Sequence, residues 1–229
     1  TALNADSKPY AHLAGKRALD RHLKRKYGEY AHAEDSEYTF VYDARFDLLK
    51  DAPLISIIIP MKDNHSLTDR CIRSILKKTI YQNYEIIILN NNSEEEESYR
   101  WFESIKKTDS RIKVIDANFG FNWSRLNNYG MKYANGEVYV FLNNDTEVIT
   151  EDWLNRLAEN ALRDDIGVVG ALLLYSDNTI QHAGVVVGMR GWADHIFKGM
   201  QPIHYGCPFV SPMVNRNVLA VTGACMAIS

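Results

Sequence analysis

Four short apolar segments, separated by helical segments, decide the fold. They read LISIII at 54–59, EIIILN at 85–90, RIKVID at 111–116 and EVYVFL at 137–142. Helical periodicity marks the three segments between them, 66–78, 95–107 and 124–134. Strands that are apolar at nearly every position are typical of a parallel sheet that is covered on both faces. The alternation of strands and helices therefore predicts a Rossmann-like α/β fold with a mostly parallel sheet flanked by helices.

The chain before this repeat is predicted to form a leader. Residues 9–26 carry apolar and basic side chains at helical spacing, which predicts a basic amphipathic helix. Its charged face is interpreted as solvated, or as a docking face for a neighbouring domain or an anionic membrane surface. Tyr38, Phe40 and Tyr42 alternate as in a short strand. We place a boundary near residue 52, with a helical leader and linker over 1–52 and the sheet domain over 53–229.

The pattern changes after the fourth strand. A helix is predicted over 151–163, with Thr150 as its N-cap. Beyond it, short apolar pieces lie between loops rich in glycine and proline, at 167–174, 183–187 and 218–222. These pieces predict extra strands of mixed direction, with long loops at one end of the sheet.

Composition and charge exclude several classes of protein. The chain has 229 residues, of which 46% are hydrophobic and 24% charged, as in an ordinary folded domain. Its net charge of -3 gives no broad basic field, so nucleic acid is not a predicted partner. No apolar run approaches the roughly 20 residues that span a bilayer, and no secretory signal opens the sequence. Three widely spaced cysteines, Cys71, Cys207 and Cys225, indicate neither a disulfide framework nor a zinc site.

A reducing compartment fits this use of cysteine best. The predicted location is therefore the cytoplasm. Peripheral attachment at the inner face of the membrane is the variant that a basic leader helix allows.

Polar residues follow each predicted strand, where parallel sheets bind their ligands. The four segments are Pro60–Asn64, Asn90–Ser93, Ala117–Gly120 and Asn143–Thr146. Neither a dinucleotide-binding GxGxxG nor a P-loop is present, which argues against those two kinds of nucleotide site. A sugar-nucleotide site needs neither motif. It needs a pocket for the nucleoside, a divalent metal at the diphosphate and a carboxylate to deprotonate the acceptor.

Asp145 suits the metal among these requirements. It follows the buried strand at 137–142, and one carboxylate is a suitable ligand for a hard Mg²⁺ or Mn²⁺ ion that phosphates also hold. An Asx-type turn before the next helix is an equally good interpretation of the same residue.

Several longer stretches carry a family resemblance. PLISIIIPMKDN (53–64), YEIIILNNNSEEEE (84–97) and NFGFNWSRLNNYGMKYANGEVYVFLNNDTEV (118–148) resemble bacterial family 2 glycosyltransferases, which have the GT-A fold. Later pieces, GALLLYSDNTIQHAGVVVG (170–188) and VTGACMAIS (221–229), are similar to the rhamnosyltransferase-type members that build surface polysaccharides. The resemblance implies an inverting enzyme that binds a UDP- or dTDP-linked sugar with Mg²⁺ or Mn²⁺ and passes the sugar to a saccharide acceptor.

The resemblance also implies donor-binding residues: Pro60, Lys62, Asn64, Asn90, Ser93, Asn127, Asn128, Asn143, Asn144 and Asp145, with Asp145 as the metal ligand. Asn90 stands where the family usually has an aspartate that recognises the base, and Asn143 replaces the first acid of the DxD motif. Asn127 replaces an arginine near the diphosphate, so phosphate binding is expected to depend more on the metal. Ser93 is interpreted as a donor contact or as the cap of the next helix.

Other residues offer weaker signals. His182 and His195 are interpreted as contacts to a metal or diphosphate, or as loop and core histidines satisfied by the backbone. Trp123, Trp192 and Tyr205 are interpreted as stacking platforms for a sugar or as packing residues.

The catalytic base is not assigned. In the family it follows the VTGA segment by a few tens of residues, and this sequence stops at Ser229. We therefore expect a piece of a longer enzyme, with neighbouring domains as potential partners. The competing hypothesis is a non-catalytic GT-A module that binds or assembles partners within a multidomain synthase. A sugar-1-phosphate nucleotidyltransferase is disfavoured because the first loop lacks a Gly-rich, Arg-Lys signature.

Overall fold

The computed structural model describes residues 9–48, 52–189, 191–203, 205 and 211–229. The helices are α1 (Pro9–Tyr27), α2 (His65–Lys78), α3 (Glu96–Thr108), α4 (Trp123–Met131) and α5 (Trp153–Ala161). The first six strands are β1 (Ala31–Asp35), β2 (Tyr42–Phe46), β3 (Ile55–Met61), β4 (Tyr84–Asn90), β5 (Ile112–Asp116) and β6 (Val138–Leu142). The other six are β7 (Val169–Gly170), β8 (Leu173–Leu174), β9 (Ile180–His182), β10 (Val185–Met189), β11 (Trp192–His195) and β12 (Cys225–Ile228).

Six strands form the central sheet, in the order β5-β4-β3-β6-β12-β7. β3 pairs in parallel with β4 and β6, and β4 pairs in parallel with β5. β12 runs antiparallel to both β6 and β7. The predicted α/β fold class, with a mostly parallel sheet flanked by helices, is confirmed, as is the mixed direction of the later strands.

The core lies along the middle strands because both faces of these strands are covered. Every residue of β4 is buried, and so are six of the seven residues of β3. Helix α4 packs closely on this sheet: a Cβ on Gly130 would lie 2.7 Å from Cγ2 of Ile58. Helix α2 buries Cys71, Ile72 and Ile75 on one face, as its apolar spacing predicts.

Contacts divide the chain into two compact units. One contains the described residues of 51–171 and 221–229, and therefore the whole central sheet. The other contains the described residues of 1–50 and 172–220. In the second unit, α1 packs through Leu23 on the β1–β2 hairpin, against Ala31 and Phe46. The same unit holds the antiparallel pairs β8–β9 and β10–β11.

Three local predictions are wrong. Tyr38 and Phe40 lie in the turn between β1 and β2, where the hydroxyl of Ser36 bonds to backbone groups and Phe40 has φ 66°. Residues 218–222 form no strand; the strand nearby is β12, which starts at Cys225 because its register with β6 begins there. Helix α5 has Asp152, not Thr150, at its N-cap position.

The leader helix and the four strands of the alternating pattern are found close to their predicted positions. In the part of the chain that the structure describes, no helix is both long enough and apolar enough to cross a membrane.

Candidate functional site

The carboxyl ends of β3, β4 and β5 meet at one edge of the sheet. The parallel register sets Met61 beside Asn90 and Asn90 beside Asp116. The loops that follow these strands therefore lie together, as the sequence predicted for its polar segments.

Asn90 and Asp116 form a hydrogen-bonded pair at this edge. The Asn90 side chain is 1% exposed; its Nδ2 donates to Oδ1 of Asp116 at 2.8 Å, and its Oδ1 accepts from the backbone N–H of Ser93 at 3.0 Å. Asp116 itself is exposed. A carboxylate therefore stands directly beside the asparagine. Sequence reasoning missed Asp116, whose signal was its place as the last residue of the segment RIKVID.

Asp63 joins the loop after β3 to the loop after β4. Its carboxylate oxygen Oδ1 accepts from the backbone N–H groups of Glu94 at 2.8 Å and Glu95 at 3.0 Å. Its own N–H donates to Oγ of Ser93 at 2.9 Å. The hydrogen bond from the N–H of Glu95 is the main cause of a lowered pKa at Asp63. The hydroxyl of Ser93 thus joins the two loops through its bond from Asp63. The interpretation of Ser93 as a helix cap is wrong, because α3 has Glu95 at its N-cap position.

Pro60, Lys62 and Asn64 lie on or beside the same loop. Pro60 pairs with Leu89 within β3 and β4. Lys62 is exposed and its Nζ donates to Oε1 of Glu94 at 2.8 Å, which raises the pKa of the lysine. Asn64 is exposed in a left-handed conformation before α2, with φ 44°. Their contact with a donor remains a prediction.

Asn91 fixes the loop after β5 to the loop after β4. It is 4% exposed, and its Nδ2 donates to the carbonyl oxygens of Ala117 at 2.8 Å and Phe119 at 2.7 Å. The guanidinium of Arg125 lies 4.2 Å from the centre of the Phe119 ring. Sequence analysis assigned no role to Asn91. In the structure its side chain connects the loops that follow β4 and β5.

The segment 143–145 follows β6. The N–H of Asn143 donates to the carbonyl of Ala224 at 2.9 Å, and Nδ2 of Asn144 donates to Oγ1 of Thr68 at 3.0 Å. Asp145 is exposed, and its carboxylate makes no hydrogen bond or ion pair with the described residues. The two asparagines are thus anchored while Asp145 is free to take a ligand, and the Asx-turn interpretation receives no support.

Asn127 and Asn128 lie on α4 in different environments. Asn127 is 2% exposed; its Nδ2 donates to the carbonyl of Trp123 at 2.9 Å, and its Oδ1 is buried without a partner. Asn128 is exposed. Asn128 is thus the one of the pair that solvent reaches, and the donor role of both stays a prediction.

The two histidines lie together in the other unit. Nδ1 of His182 lies 2.9 Å from Nδ1 of His195, and their rings are nearly perpendicular, at 80°. Burial, with the nearby His195 and Arg216, lowers the pKa of His182 to about 4. His182 is therefore neutral at pH 7. Trp192 and Tyr205 are exposed in the same unit, and Cys207 falls outside the described residues.

The side chains at this end of the sheet leave one carboxylate for a divalent metal. Within the described ranges, no group of three or more His, Cys, Asp or Glu side chains could hold an ion by itself. One free carboxylate, Asp145, fits an ion whose other ligands are substrate phosphates and water, which is how Mg²⁺ commonly binds. Cys71 and Cys225 are buried free thiols, and burial raises their pKa values to about 11 and about 12.

Comparisons with known proteins show which sequences and structures the chain is similar to. The chain is 39% identical over 222 residues to "Uncharacterized protein y4gI" of Sinorhizobium fredii, a match that covers 97% of this chain and 24% of that protein. It is 38% identical over 215 residues to "O-antigen biosynthesis protein RfbC" of Myxococcus xanthus, covering 94% of this chain and 16% of that protein. The chain thus spans a quarter or less of these two relatives.

Among solved structures, a mannosyltransferase from Pyrobaculum calidifontis in complex with GDP-Man and Mn²⁺ is similar. It has 15% sequence identity and a TM-score of 0.49, over 75% of this chain and 46% of that one. The family model described as "Glycosyl transferase family 2" matches residues 56–216, which is more than half of the sequence. This chain therefore belongs to glycosyltransferase family 2.

Proposed function

We propose that the chain is the donor-binding part of an inverting glycosyltransferase. It binds a UDP- or dTDP-linked sugar with Mg²⁺ or Mn²⁺, and the sugar passes to a saccharide acceptor of a surface polysaccharide. The observation that carries the proposal is the exposed carboxylate of Asp145, which has no partner in the described part of the chain and directly follows a central strand. Family membership and the O-antigen relative support the reaction class and the acceptor class.

The nucleobase is recognised at the Asn90–Asp116 pair. Uracil and thymine both carry an imide N3–H, which needs an acceptor. Asn90 offers little, because it is almost fully buried and its Oδ1 already accepts from the N–H of Ser93. Asp116 is exposed and retains an oxygen, Oδ2, beyond the one that Asn90 uses. The negative charge that the family places at position 90 is thus supplied one strand away.

The metal would be held by Asp145 together with the donor's phosphates. When bound, it would neutralise the charge that develops on the diphosphate leaving group. Asn143 and Asn144 position the turn that presents Asp145, through their bonds to Ala224 and Thr68. The sugar is of hexosyl or rhamnosyl type, and we assign the catalytic base to no residue of this chain.

The test is calorimetric titration of the chain with UDP and dTDP, with and without Mn²⁺. We expect metal-dependent binding that Asp145→Ala weakens by about tenfold, since the ion loses its one protein carboxylate. Glu147→Ala is the matched control, because Glu147 is an exposed acid two residues further along the same segment. Equal loss in both variants, or unchanged affinity in a folded Asp145→Ala protein, would remove Asp145 from the metal site.

The same titration distinguishes the enzyme from a non-catalytic scaffold. Ser93 is hydrogen-bonded to Asp63 and Asn90, and Asn91 is bonded to the loop after β5, which is compatible with a loop cluster that is purely structural. A folded chain that binds neither nucleotide at millimolar concentration would favour a non-catalytic assembly module over the enzyme.

A further inference from the structure

A cavity of about 420 Å³ opens beside the end of β6, within the unit that holds the sheet. Its walls are Trp123, Asn143, Met226 and residues 221–224. The backbone bond from Asn143 to Ala224, at 2.9 Å, keeps the segment before β12 against the end of β6. Small-molecule sites have volumes of roughly 300–1,000 Å³, and this cavity lies in that range.

Trp123 forms one wall of this cavity and has two close neighbours. Its ring meets Phe141 edge-on, with 6.0 Å between centroids. A Cβ at position 223 would lie 2.6 Å from Cζ2 of the indole, so only glycine lets the backbone pass there. The indole N–H donates to no described residue. Trp123 thus offers a fixed ring and a free donor.

The chemistry of the walls is uncharged. Trp123, Val221, Ala224 and Met226 are apolar, and Asn143 and Thr222 are polar but neutral. No side chain of these walls offers a cation to a carboxylate on the sugar, and a carboxylate that loses water against neutral walls is costly to bind. A neutral ring with one apolar face suits the walls, because C–H groups pack on an indole while hydroxyl groups reach the amide and the hydroxyl.

We propose that this cavity receives the transferred sugar of the donor, that this sugar is a neutral hexopyranose, and that Trp123 is a specificity-determining residue on which the ring stacks. The inference rests on the proposed function, because it takes the diphosphate to lie at Asp145. Asn143 lines the cavity two residues before Asp145, and in a nucleotide sugar the pyranose is bonded directly to the terminal phosphate. Gly223 is a positioning residue, since it sets the place of the indole.

The experiment compares nucleotide sugars with the bare nucleotide on the whole chain, by calorimetry with Mn²⁺. UDP-glucose, UDP-galactose and a dTDP-6-deoxyhexose are the neutral probes. UDP-glucuronate is the matched acidic probe, since it differs from UDP-glucose only at C6. We expect at least one neutral sugar nucleotide to bind about tenfold more tightly than its free nucleotide, and UDP-glucuronate to bind no more tightly than UDP.

Variants of the residues that line the cavity show whether the extra affinity of the sugar nucleotide arises there. Trp123→Ala should abolish the gain from the sugar and leave the affinity for the free nucleotide unchanged, whereas Trp123→Phe should keep part of the gain. Gly223→Ala, which pushes on the indole, should reduce the gain without touching the nucleotide. Thermal melting establishes that each variant is folded, and Trp123→Phe keeps the test decisive if Trp123→Ala does not fold.

The outcomes separate the two proposals. If nucleotides bind but no neutral sugar adds affinity, or UDP-glucuronate binds best, or Trp123→Ala and Trp123→Phe both retain the full gain, this inference is overturned and the proposed function stands. If no nucleotide binds to the folded chain, the proposed function fails and the inference fails with it.

Discussion

At the amino ends of β3, β4 and β5 the polar side chains of Ser56, Glu85 and Lys113 are paired with one another, whereas at the opposite end of the sheet carboxylates at the ends of β5 and β6 reach solvent. Glu85, only 7% exposed, accepts from Oγ of Ser56 at 2.7 Å, from Nζ of Lys113 at 2.6 Å and from the N–H of Asn135 at 2.6 Å. At the other end, Asp116 and Asp145 are exposed. One sheet thus carries a closed polar cluster and an open one.

This difference distinguishes carboxylates that stabilise the fold from carboxylates that are available for binding. The Glu85 cluster joins β3, β4, β5 and the turn before β6, and Gly136 completes it by donating its N–H to Oγ of Ser56 at 2.9 Å. A Cβ on Gly136 would lie 2.6 Å from the carbonyl oxygen of Leu54, so no larger residue fits. Asp145, in contrast, contributes no bond to the described fold. Changes at the two ends should therefore separate stability from binding.

The largest effect is expected from Glu85→Ala. It leaves Lys113, the hydroxyl of Ser56 and the N–H of Asn135 without their acceptor. We expect the free energy of unfolding to fall by about 3 kcal/mol, because the buried hydroxyl of Ser56 and the N–H of Asn135 lose their acceptor. Denaturant unfolding measures it. Glu103→Ala is the control, because Glu103 is exposed and forms a surface ion pair with Lys106; this variant should lose less than about 1 kcal/mol of stability. Similar losses in both would contradict a structural role for Glu85.

A smaller effect, which depends on pH, is expected from Glu85→Gln. Burial raises the pKa of Glu85, but hydrogen bonds from Lys113, the N–H of Asn135 and Ser56 outweigh it, so the pKa lies below 4.5. The folded state therefore binds fewer protons than the unfolded state, and the stabilisation is present above pH 4.5 and lost as the pH falls below it. The variant should lose about 2 kcal/mol at pH 7.

Denaturant unfolding measured from pH 7 to pH 3 checks the direction of this pH dependence. The gap in stability between the native chain and Glu85→Gln should stay level down to about pH 5 and narrow below it. A gap that widens towards acid would mean that Glu85 is held protonated in the fold.

The same contrast explains what could be read from the sequence. β3, β4 and β6 were predictable because parallel strands buried on both faces leave nearly continuous apolar runs. The β1–β2 turn was not, since alternating Tyr38, Phe40 and Tyr42 imitate a strand and only the positive φ of Phe40 distinguishes the turn. β12 was misplaced because an apolar run does not reveal which of its residues pair with β6.

The candidate site was predictable only in part. Asp145 could be identified because it directly follows a buried strand, and a single sequence shows that. For Asp116 and Asp63 the sequence showed only a position at or just after a strand end, because their importance depends on partners 26 and more residues away, Asn90 in one case and the N–H groups of Glu94 and Glu95 in the other. Sheet register and loop geometry create those contacts, and neither is encoded in a local pattern.

The smallest change in stability, with a clear change in binding, is expected from Asp116→Asn. The amide keeps an oxygen for Nδ2 of Asn90, so the free energy of unfolding should change by less than about 0.5 kcal/mol. Affinity for UDP should fall about tenfold, because a hydrogen bond to a charged acceptor is stronger than one to a neutral acceptor. Glu97→Gln, which removes the same charge from an exposed position on α3, should leave both quantities unchanged.

UDP methylated at N3 of the base makes this last test specific to one hydrogen bond. It lacks the imide donor, so it should bind the native chain as weakly as UDP binds Asp116→Asn, and the substitution should weaken it no further. If Asp116→Asn lowers the affinity for both nucleotides equally, Asp116 acts through its negative charge and not through a hydrogen bond to N3–H, and the base is recognised elsewhere. If it lowers stability instead, the carboxyl end is as structural as the amino end, and the distinction between the two ends of the sheet is lost.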